Sequence, residues 1–228
     1  MYGTYKGVIF DFNGTLFFDN DKHILAWSEI SKMIRGRGIT NEELLEHFNG
    51  VPNQKIVSYL LGREGNIEEL ERYSRLKEEL YRRFCLEDQE NFHLVDGAVE
   101  FFDYLKEKEI PFTIASASIK ANIDFFVREF ELKKWMNPEE IVYDNGSYEN
   151  KVAMFLDAAK NLGVDIKECM IVEDSISGIY SAYLAGCRNI VVIDSSSKAK
   201  EYEHLPGVIK VINNFKQQKT WEKASFNR

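Results

Sequence analysis

Short runs of hydrophobic residues, separated by longer amphipathic stretches, recur along this chain. Five runs predict buried β-strands, at 7–10, 111–115, 139–143, 169–173 and 189–194, and a sixth at 207–212 predicts an edge strand. Helix-length segments such as GAVEFFDYLKEKE and NKVAMFLDAAKNLG lie between most of them. This alternation predicts an α/β fold, in which a doubly wound, parallel, Rossmann-like sheet lies between two layers of helices.

The segment between the first and second runs is far too long for one crossover connection. Polar, charge-rich helices are predicted within it at 22–36, 41–48, 53–62 and 66–84, with Gly, Pro and Asn at their breaks. We therefore expect an inserted all-helical cap domain at 18–91 and a core domain formed by 1–17 and 92–228.

Composition narrows the class of protein. With 228 residues and 44% hydrophobic composition, the chain can bury a substantial core. Its 29 basic and 37 acidic residues give a net charge of -8, which argues against a nucleic-acid partner. The sequence shows neither a membrane-length apolar run nor the apolar region of a signal peptide, and its three cysteines lack metal-site spacing. We expect a cytoplasmic protein with no membrane partner, and the sequence leaves the oligomeric state open.

Polar side chains follow several of the predicted strands. Asp11 ends the first run, Ser116 follows the second, and Glu173 and Asp174 end the fourth. Ligands of an open parallel sheet bind outside the carboxyl ends of its strands, so these groups are expected at one edge. Asp194, the last residue of the fifth run, is interpreted as a turn residue.

Converging carboxylates repel one another unless a cation separates them, and an all-oxygen set suits a hard ion such as Mg²⁺. Such an ion attracts phosphate. The Ser116 hydroxyl, nearby backbone N–H groups and the Lys151 ammonium could hold the phosphate oxygens. An ionised Asp11 is then a candidate nucleophile, which would form an aspartyl-phosphate.

Four segments in this order, DFNGT, TIASAS, a lysine and IVEDS, resemble the motifs of the haloacid dehalogenase-like hydrolase superfamily. The resemblance covers nearly the whole chain and includes a helical cap inserted after the first motif. The segments KHILAW and IASAS are most similar to the β-phosphoglucomutase-like phosphatase branch.

The resemblance implies a role for each matching residue. Asp11 matches the nucleophile, the Asn13 carbonyl and Asp174 match Mg²⁺ ligands, and Glu173 matches a further ligand or a neighbour of one. Ser116 and Lys151 match the groups that hold the transferring phosphoryl group. The phosphate or substrate site implied in this way also includes Gly14, Thr15, Ala117 and, in the cap, His23.

Asn13 departs from the pattern, because relatives with fast phosphoryl chemistry usually have aspartate there as general acid and base. An amide neither gives nor takes a proton in this role, and general acid-base catalysis is typically worth about 10²–10⁴-fold in rate. The sequence therefore predicts a Mg²⁺-dependent phosphatase of small phosphorylated metabolites, slowed by Asn13. The alternative is a non-catalytic or weakly active phosphate-binding or regulatory protein of the same fold.

Structural alternatives stay open for several of these residues. Asp174 could cap the helix that follows it, and Ser116 and Ser118 could cap the helix that starts near 119. Lys151 could be a solvated surface lysine, because the prolines that often flank the family lysine are missing. A lone helical histidine such as His23 is more often structural than functional.

Overall fold

The computed structural model describes residues 5–48, 50–195 and 199–216. These residues contain a parallel sheet of six strands in the order β3-β2-β1-β4-β5-β6. The strands are β1 (Gly7–Phe10), β2 (Phe112–Ile119), β3 (Val142–Asp144), β4 (Cys169–Glu173), β5 (Asn189–Ile193) and β6 (Val208–Ile212). The predicted α/β fold with a doubly wound parallel sheet is thereby confirmed.

Helices cover both faces of the sheet. Within the described residues they are α5 (Ala98–Glu107), α6 (Lys120–Glu129), α7 (Lys151–Asn161), α8 (Ile176–Ala185) and the short α9 (Ala199–Tyr202). In the described parts of the chain, three 3-10 turns connect elements, at Leu132–Lys134, Pro138–Glu140 and Ile166–Glu168.

Strand β1 lies between two hydrophobic layers. Successive side chains of a strand point to opposite faces, so Ile9 packs in the cluster formed with α7 and α8. Phe10 points to the other face, where its ring makes edge contacts with the rings of Phe101, Phe102 and Phe215. Both β1 side chains are completely buried, which accounts for the uninterrupted apolar run in the sequence.

The strand order places the point where the winding reverses beside β1. From β1 the chain runs outward through β2 and β3, and it then returns to the other side of β1 to add β4, β5 and β6. The carboxyl ends of β1, β2 and β4 are therefore neighbours, which is where a doubly wound sheet binds its ligand.

Residues Asp19–Phe92 form a compact unit separate from Met1–Phe18 with His93–Arg228. The cap borders at 18 and 91 stay a prediction from the sequence. Helices α1 (Asn20–Arg35), α2 (Asn41–His47), α3 (Asn53–Leu61) and α4 (Ile67–Glu87) make up the unit within its described residues. None of the helices in the described parts of the chain has the length and hydropathy to span a membrane.

Helix α2 begins at a reciprocal cap. The Thr40 side chain accepts a hydrogen bond from the Glu43 N–H, and the Glu43 carboxylate accepts one from the Thr40 N–H. The same carboxylate binds the guanidinium groups of Arg35 and Arg37 and accepts a hydrogen bond from the Tyr59 hydroxyl. One side chain thus joins three helical segments of this unit.

The chain leaves and re-enters the sheet-containing unit at a single place. The Val95 N–H donates to the Leu16 carbonyl oxygen at 2.8 Å, so the segments before and after the inserted helices are hydrogen-bonded to each other. Both side chains are buried. The insertion therefore begins and ends at one fixed point of the core.

Candidate active site

The loop after β1 carries the first predicted site residues. The Asp11 N–H donates to the Val172 carbonyl oxygen at 2.9 Å, which fixes Asp11 against the end of β4, and its side chain is buried. The Thr15 hydroxyl lies 3.4 Å from a carboxylate oxygen of Asp11 and 3.3 Å from one of Asp174. The structure therefore brings Asp11, Thr15 and Asp174 together. Thr15 was expected in the phosphate or substrate site, and its hydroxyl contacts the two carboxylate groups.

Gly14 allows the loop to approach Asp174. Its φ of +79° lies in the left-handed region, and a Cβ built on it would lie 2.3 Å from an Asp174 carboxylate oxygen. Any side chain at position 14 would be strained and would displace Asp174. The role of Gly14 in this structure is to leave room for that carboxylate.

Three carboxylates form a cluster at the ends of β1 and β4. Oxygens of Asp11, Glu173 and Asp174 lie within 4.8 Å of one another. Burial raises the pKa of Asp11 to about 6, although the nearby Lys151 charge opposes the rise. Burial, together with the charges of Glu173 and Asp11, raises the pKa of Asp174 to about 8. The carboxylates therefore resist being ionised together without a nearby positive charge.

Lys151 supplies one such positive charge. It is the first residue of α7, whose start is fixed by the Asn150 side chain accepting a hydrogen bond from the Val152 N–H. The Lys151 ammonium lies 2.6 Å from Asp11 and also binds Glu173. Burial lowers the Lys151 pKa, but the two carboxylates raise it by more, so the net shift is upward. The structure thus gives no support to a solvated surface position for this lysine.

Glu173 points back toward the start of α8. Its Oε2 accepts hydrogen bonds from the N–H groups of Asp174 and Ser175, both at 2.8 Å, and from the Ser175 hydroxyl at 3.0 Å. Its other oxygen binds Lys151. A Cβ at Gly178 would lie 1.8 Å from Glu173 Oε1, so this orientation depends on the glycine. Gly178 was not predicted as a site residue, because its only signal in the sequence is a glycine in the first turn of a helix.

The end of β2 supplies hydroxyl groups. Ser116 is buried and lies on the strand, followed by the exposed Ala117 and the half-buried Ser118. The Ser118 hydroxyl donates to Asn13 Oδ1 at 2.7 Å, and the Ser116 hydroxyl does so at 3.4 Å. The contact between Ser118 and Asn13 was not expected. The alternation Ser-Ala-Ser is its only signal, because residues two apart share a face of a strand.

His23 lies in the helical unit, among side chains of that unit. Its ring stacks on Tyr81 with ring centroids 4.1 Å apart, and its Nε2 lies 3.3 Å from the buried Asp19 carboxylate. Lys77 approaches its Nδ1 at 2.8 Å. The histidine is thus part of a polar cluster inside the cap, where its side chain is about one quarter exposed.

The acidic cluster has the chemistry of a site for a hard divalent cation. Its donors are all oxygen, and Asp11 and Asp174 have raised pKa values that a cation between them would reverse. Glu173 differs, because its oxygens already receive hydrogen bonds from the α8 start and from Lys151. Asp11 and Asp174 are therefore the carboxylates best suited to hold an ion directly.

Comparisons with known proteins agree on the family. A family model described as haloacid dehalogenase-like hydrolase matches residues 5–186. A crystal structure of a haloacid dehalogenase hydrolase of family IA, variant 3, from Entamoeba histolytica is 35% identical, with a TM-score of 0.86, and the match covers 92% of this chain and 93% of that one. A β-phosphoglucomutase from Clostridium difficile has a TM-score of 0.76 over 97% of each chain, and its 21% identity shows a shared fold alone.

The curated relatives match this chain over different lengths. Fructose-1-phosphate phosphatase YqaB of Escherichia coli is 26% identical over 191 residues, which are 82% of this chain and 95% of that protein. A 117-residue stretch, half of this chain, is 32% identical to the chloroplastic protein SUPPRESSOR OF QUENCHING 1 of Arabidopsis thaliana. That stretch spans only 11% of the Arabidopsis protein.

Proposed function

The chain belongs to the haloacid dehalogenase-like hydrolases and is a phosphoester hydrolase, and from this premise we propose that it removes phosphate from small phosphorylated metabolites with the help of Mg²⁺. The resemblance drawn from the four motifs is confirmed by the family match over residues 5–186. The observation that carries the proposal is the convergence of Asp11, Glu173 and Asp174 at the ends of β1 and β4, with the Lys151 ammonium on Asp11.

Asp11 is the proposed nucleophile. A carboxylate oxygen attacks phosphorus and the bond from phosphorus to the ester oxygen breaks, so that an aspartyl-phosphate forms. The ester oxygen leaves and takes its proton from solvent water, because Asn13 supplies none. Water then attacks the same phosphorus and breaks its bond to Asp11, which releases inorganic phosphate. The Lys151 ammonium, 2.6 Å from Asp11, balances charge on the phosphoryl oxygens, and the Ser116 hydroxyl offers them a hydrogen bond.

A divalent cation fits the same arrangement. Asp11, Asp174 and the backbone carbonyl of Asn13 would hold it, and it would neutralise charge on the phosphoryl group. Glu173 is the proposed positioning residue for Lys151 and for the start of α8, since both of its oxygens are engaged there.

Asn13 limits the rate in this proposal. The amide can donate a hydrogen bond to the leaving oxygen, but it transfers no proton to it and takes none from the attacking water. Formation of the aspartyl-phosphate survives this loss best with good leaving groups. Hydrolysis of the aspartyl-phosphate gains nothing from a good leaving group on the substrate, because the attacking water still lacks a general base. The phosphoenzyme is therefore expected to accumulate. Acid-quenched intact mass measurement with a reactive phosphate donor tests this, and the absence of a phosphoryl adduct would count against it.

Sugar phosphates are the proposed substrate class. One relative that matches over most of both chains is named a fructose-1-phosphate phosphatase and another a hexitol phosphatase. Such alcohols are poor leaving groups, which makes the lack of a general acid most costly for them. Asn13 also keeps open a second role, in which the protein binds phosphorylated ligands with little turnover.

The test is metal-dependent phosphate release from p-nitrophenyl phosphate and a panel of sugar phosphates. We expect slow multiple turnovers by the native chain, none by Asp11→Asn, and a gain toward about 10²-fold or more in Asn13→Asp, which restores an acid and base. Turnover that persists in Asp11→Asn would contradict the assigned nucleophile. Absence of turnover in both the native chain and Asn13→Asp would contradict the phosphatase itself.

A further inference from the structure

Asn13 is followed by Gly14, and an asparagine before a glycine is open to a spontaneous reaction of the chain with itself. The glycine nitrogen attacks Cγ of the asparagine, since no Cβ on the glycine hinders the approach. The new C–N bond closes a succinimide ring. The bond from Cγ to the side-chain nitrogen breaks, and that nitrogen leaves as ammonia with the proton that the glycine nitrogen gives up. Water then opens the ring to aspartate or to isoaspartate.

In the folded loop the attacking nitrogen is already engaged. The Gly14 N–H donates to the Phe17 carbonyl oxygen at 2.8 Å, and Asn13 and Phe17 pair as a short β-bridge. The φ of +79° at Gly14 belongs to the same turn. Attack requires the Gly14 nitrogen to give up its proton and turn toward Asn13 Cγ, so this hydrogen bond must break first.

The rest of the loop is fixed as well. The Phe12 carbonyl oxygen accepts hydrogen bonds from the Leu16 N–H at 2.8 Å and from the Phe17 N–H at 3.1 Å. The side chains of these three residues are completely buried, and the rings of Phe12 and Phe17 both contact the ring of Phe130. Opening the loop breaks several hydrogen bonds and exposes apolar side chains, so open molecules are rare.

We propose that Asn13 is a deamidation site that the folded loop keeps in the amide form, through the hydrogen bond from the Gly14 N–H to the Phe17 carbonyl oxygen. While the loop is closed, the residue stays asparagine. When the loop opens or the chain unfolds, ring closure and hydrolysis convert it to aspartate or isoaspartate. The side chain of position 13 thus records how long the loop has been open.

Peptide mass mapping follows the amide without any assay of turnover. The native chain and the chain denatured in guanidinium chloride are incubated at the same mildly alkaline pH. Asn145, which also precedes a glycine, is the internal control, and we expect it to convert as fast as Asn13 in the denatured chain. We expect Asn13 to convert at least about 10-fold more slowly in the native chain than in the denatured one. Equal rates for Asn13 in the two states, or no conversion of Asn13 in the denatured chain, would overturn the inference.

Hydrogen exchange and one variant test whether this loop is the cause. We expect the Gly14 N–H to exchange slowly, and Phe130→Ala, which removes the ring that contacts Phe12 and Phe17, to speed this exchange. Conversion of Asn13 should rise by a similar factor, with Asn145 unchanged. Faster exchange without faster conversion would overturn the inference, as would a Gly14 N–H that exchanges as fast as an exposed amide in the native chain. If Phe130→Ala does not fold, the native exchange rate and the denaturant comparison still decide.

A consequence for activity rests on the proposed phosphatase function, whereas the mass measurement does not. Aspartate at position 13 supplies the acid-base carboxylate that Asn13 lacks. A chain incubated unfolded and then refolded should gain phosphate release from p-nitrophenyl phosphate in proportion to its content of normal aspartate there. Asn13→Gln treated in the same way is the matched control and should gain none, because glutamine closes a ring much more slowly. No gain in a sample that carries the aspartate contradicts the acid-base role of position 13, while the mass comparison alone decides the deamidation site.

Discussion

Individual residues at the strand ends show what sequence reasoning can and cannot find. Asp11, Ser116 and Asp174 are identifiable because each follows an apolar run, and parallel strands bring such positions to one edge. The direction of the Glu173 side chain is not readable in this way, because it depends on the space left by Gly178 on the next helix. The bond between Ser118 and Asn13 joins residues 105 positions apart and depends on a register shift at the end of β2.

The orientation of Glu173 makes Gly178 the residue with the sharpest steric requirement. Alanine normally favours a helix over glycine by about 1 kcal/mol. At position 178, however, the new Cβ would lie 1.8 Å from the Glu173 carboxylate, which must then move away from its hydrogen bonds to Asp174 and Ser175. We expect Gly178→Ala to lower the free energy of unfolding by about 1–3 kcal/mol, as overpacked core positions do, and to lower phosphatase activity.

Urea denaturation measures the effect of Gly178→Ala. Ser177→Ala on the same helix is the matched control, since residue 177 is exposed and the change raises helix propensity without approaching Glu173. A Gly178→Ala protein at least as stable as the native chain would show that Glu173 has room to move, contrary to the structure.

Secondary-structure elements follow the hydrophobic pattern closely where they are buried on both faces. The fourth run, 169–173, coincides with β4 because all five of its side chains are buried. The third run, 139–143, overlaps β3 only at its end, because Pro138–Glu140 forms a 3-10 turn capped by the Asn137 side chain. Strand β2 continues beyond its apolar run through polar Ser116 and Ser118, which periodicity of apolar residues does not detect.

The start of α2 makes a prediction about pH. Hydrogen bonds from Arg37 and Arg35 lower the pKa of Glu43 well below its usual range. A carboxylate with a lowered pKa in the folded state stabilises the protein above its unfolded pKa of about 4.5, and this contribution is lost as the pH falls below that value. We expect Glu43→Gln to destabilise the protein at pH 7 and to make its stability less sensitive to pH below about 4.5.

Chemical denaturation at pH 7 and at pH 3 measures this difference for Glu43→Gln. Glu46→Gln is the control, because it makes the same change on the same helix at an exposed position. The Glu46 carboxylate lies 3.7 Å from His47 Nε2. If Glu43→Gln and Glu46→Gln lose the same stability at both pH values, the Glu43 network does not have the stabilising role assigned to it.

The whole molecule consists of a core unit interrupted by a helical unit. The length and polarity of the inserted segment predict this organisation, but they do not show how the chain crosses between the units. The structure shows that the Leu16 carbonyl oxygen and the Val95 N–H are hydrogen-bonded within the core, so the interruption begins and ends at adjacent backbone positions. The sheet and the candidate site residues other than His23 belong to the core unit.

Adjacent entry and exit points predict that the core can fold without the insertion. We expect a chain in which a short Gly-Ser linker replaces residues 19–92 to keep the core secondary structure and a cooperative thermal transition, because the linker closes a loop whose ends already meet. Circular dichroism and thermal unfolding check this outcome. A product that binds hydrophobic dyes and lacks a cooperative transition would show that the core needs the helical unit to fold.

The contact of Lys151 with both Asp11 and Glu173 has a consequence for the charge balance of the core. Three carboxylates and one ammonium carry a formal charge of -2 at the ends of β1 and β4, which is the charge that one divalent ion balances. When no ion is bound, the Lys151 ammonium supplies the counter-charge for Asp11 and Glu173, the two most deeply buried carboxylates of the cluster. Under the proposed metal-dependent function, the core therefore has a counter-charge for its buried carboxylates before any cation binds.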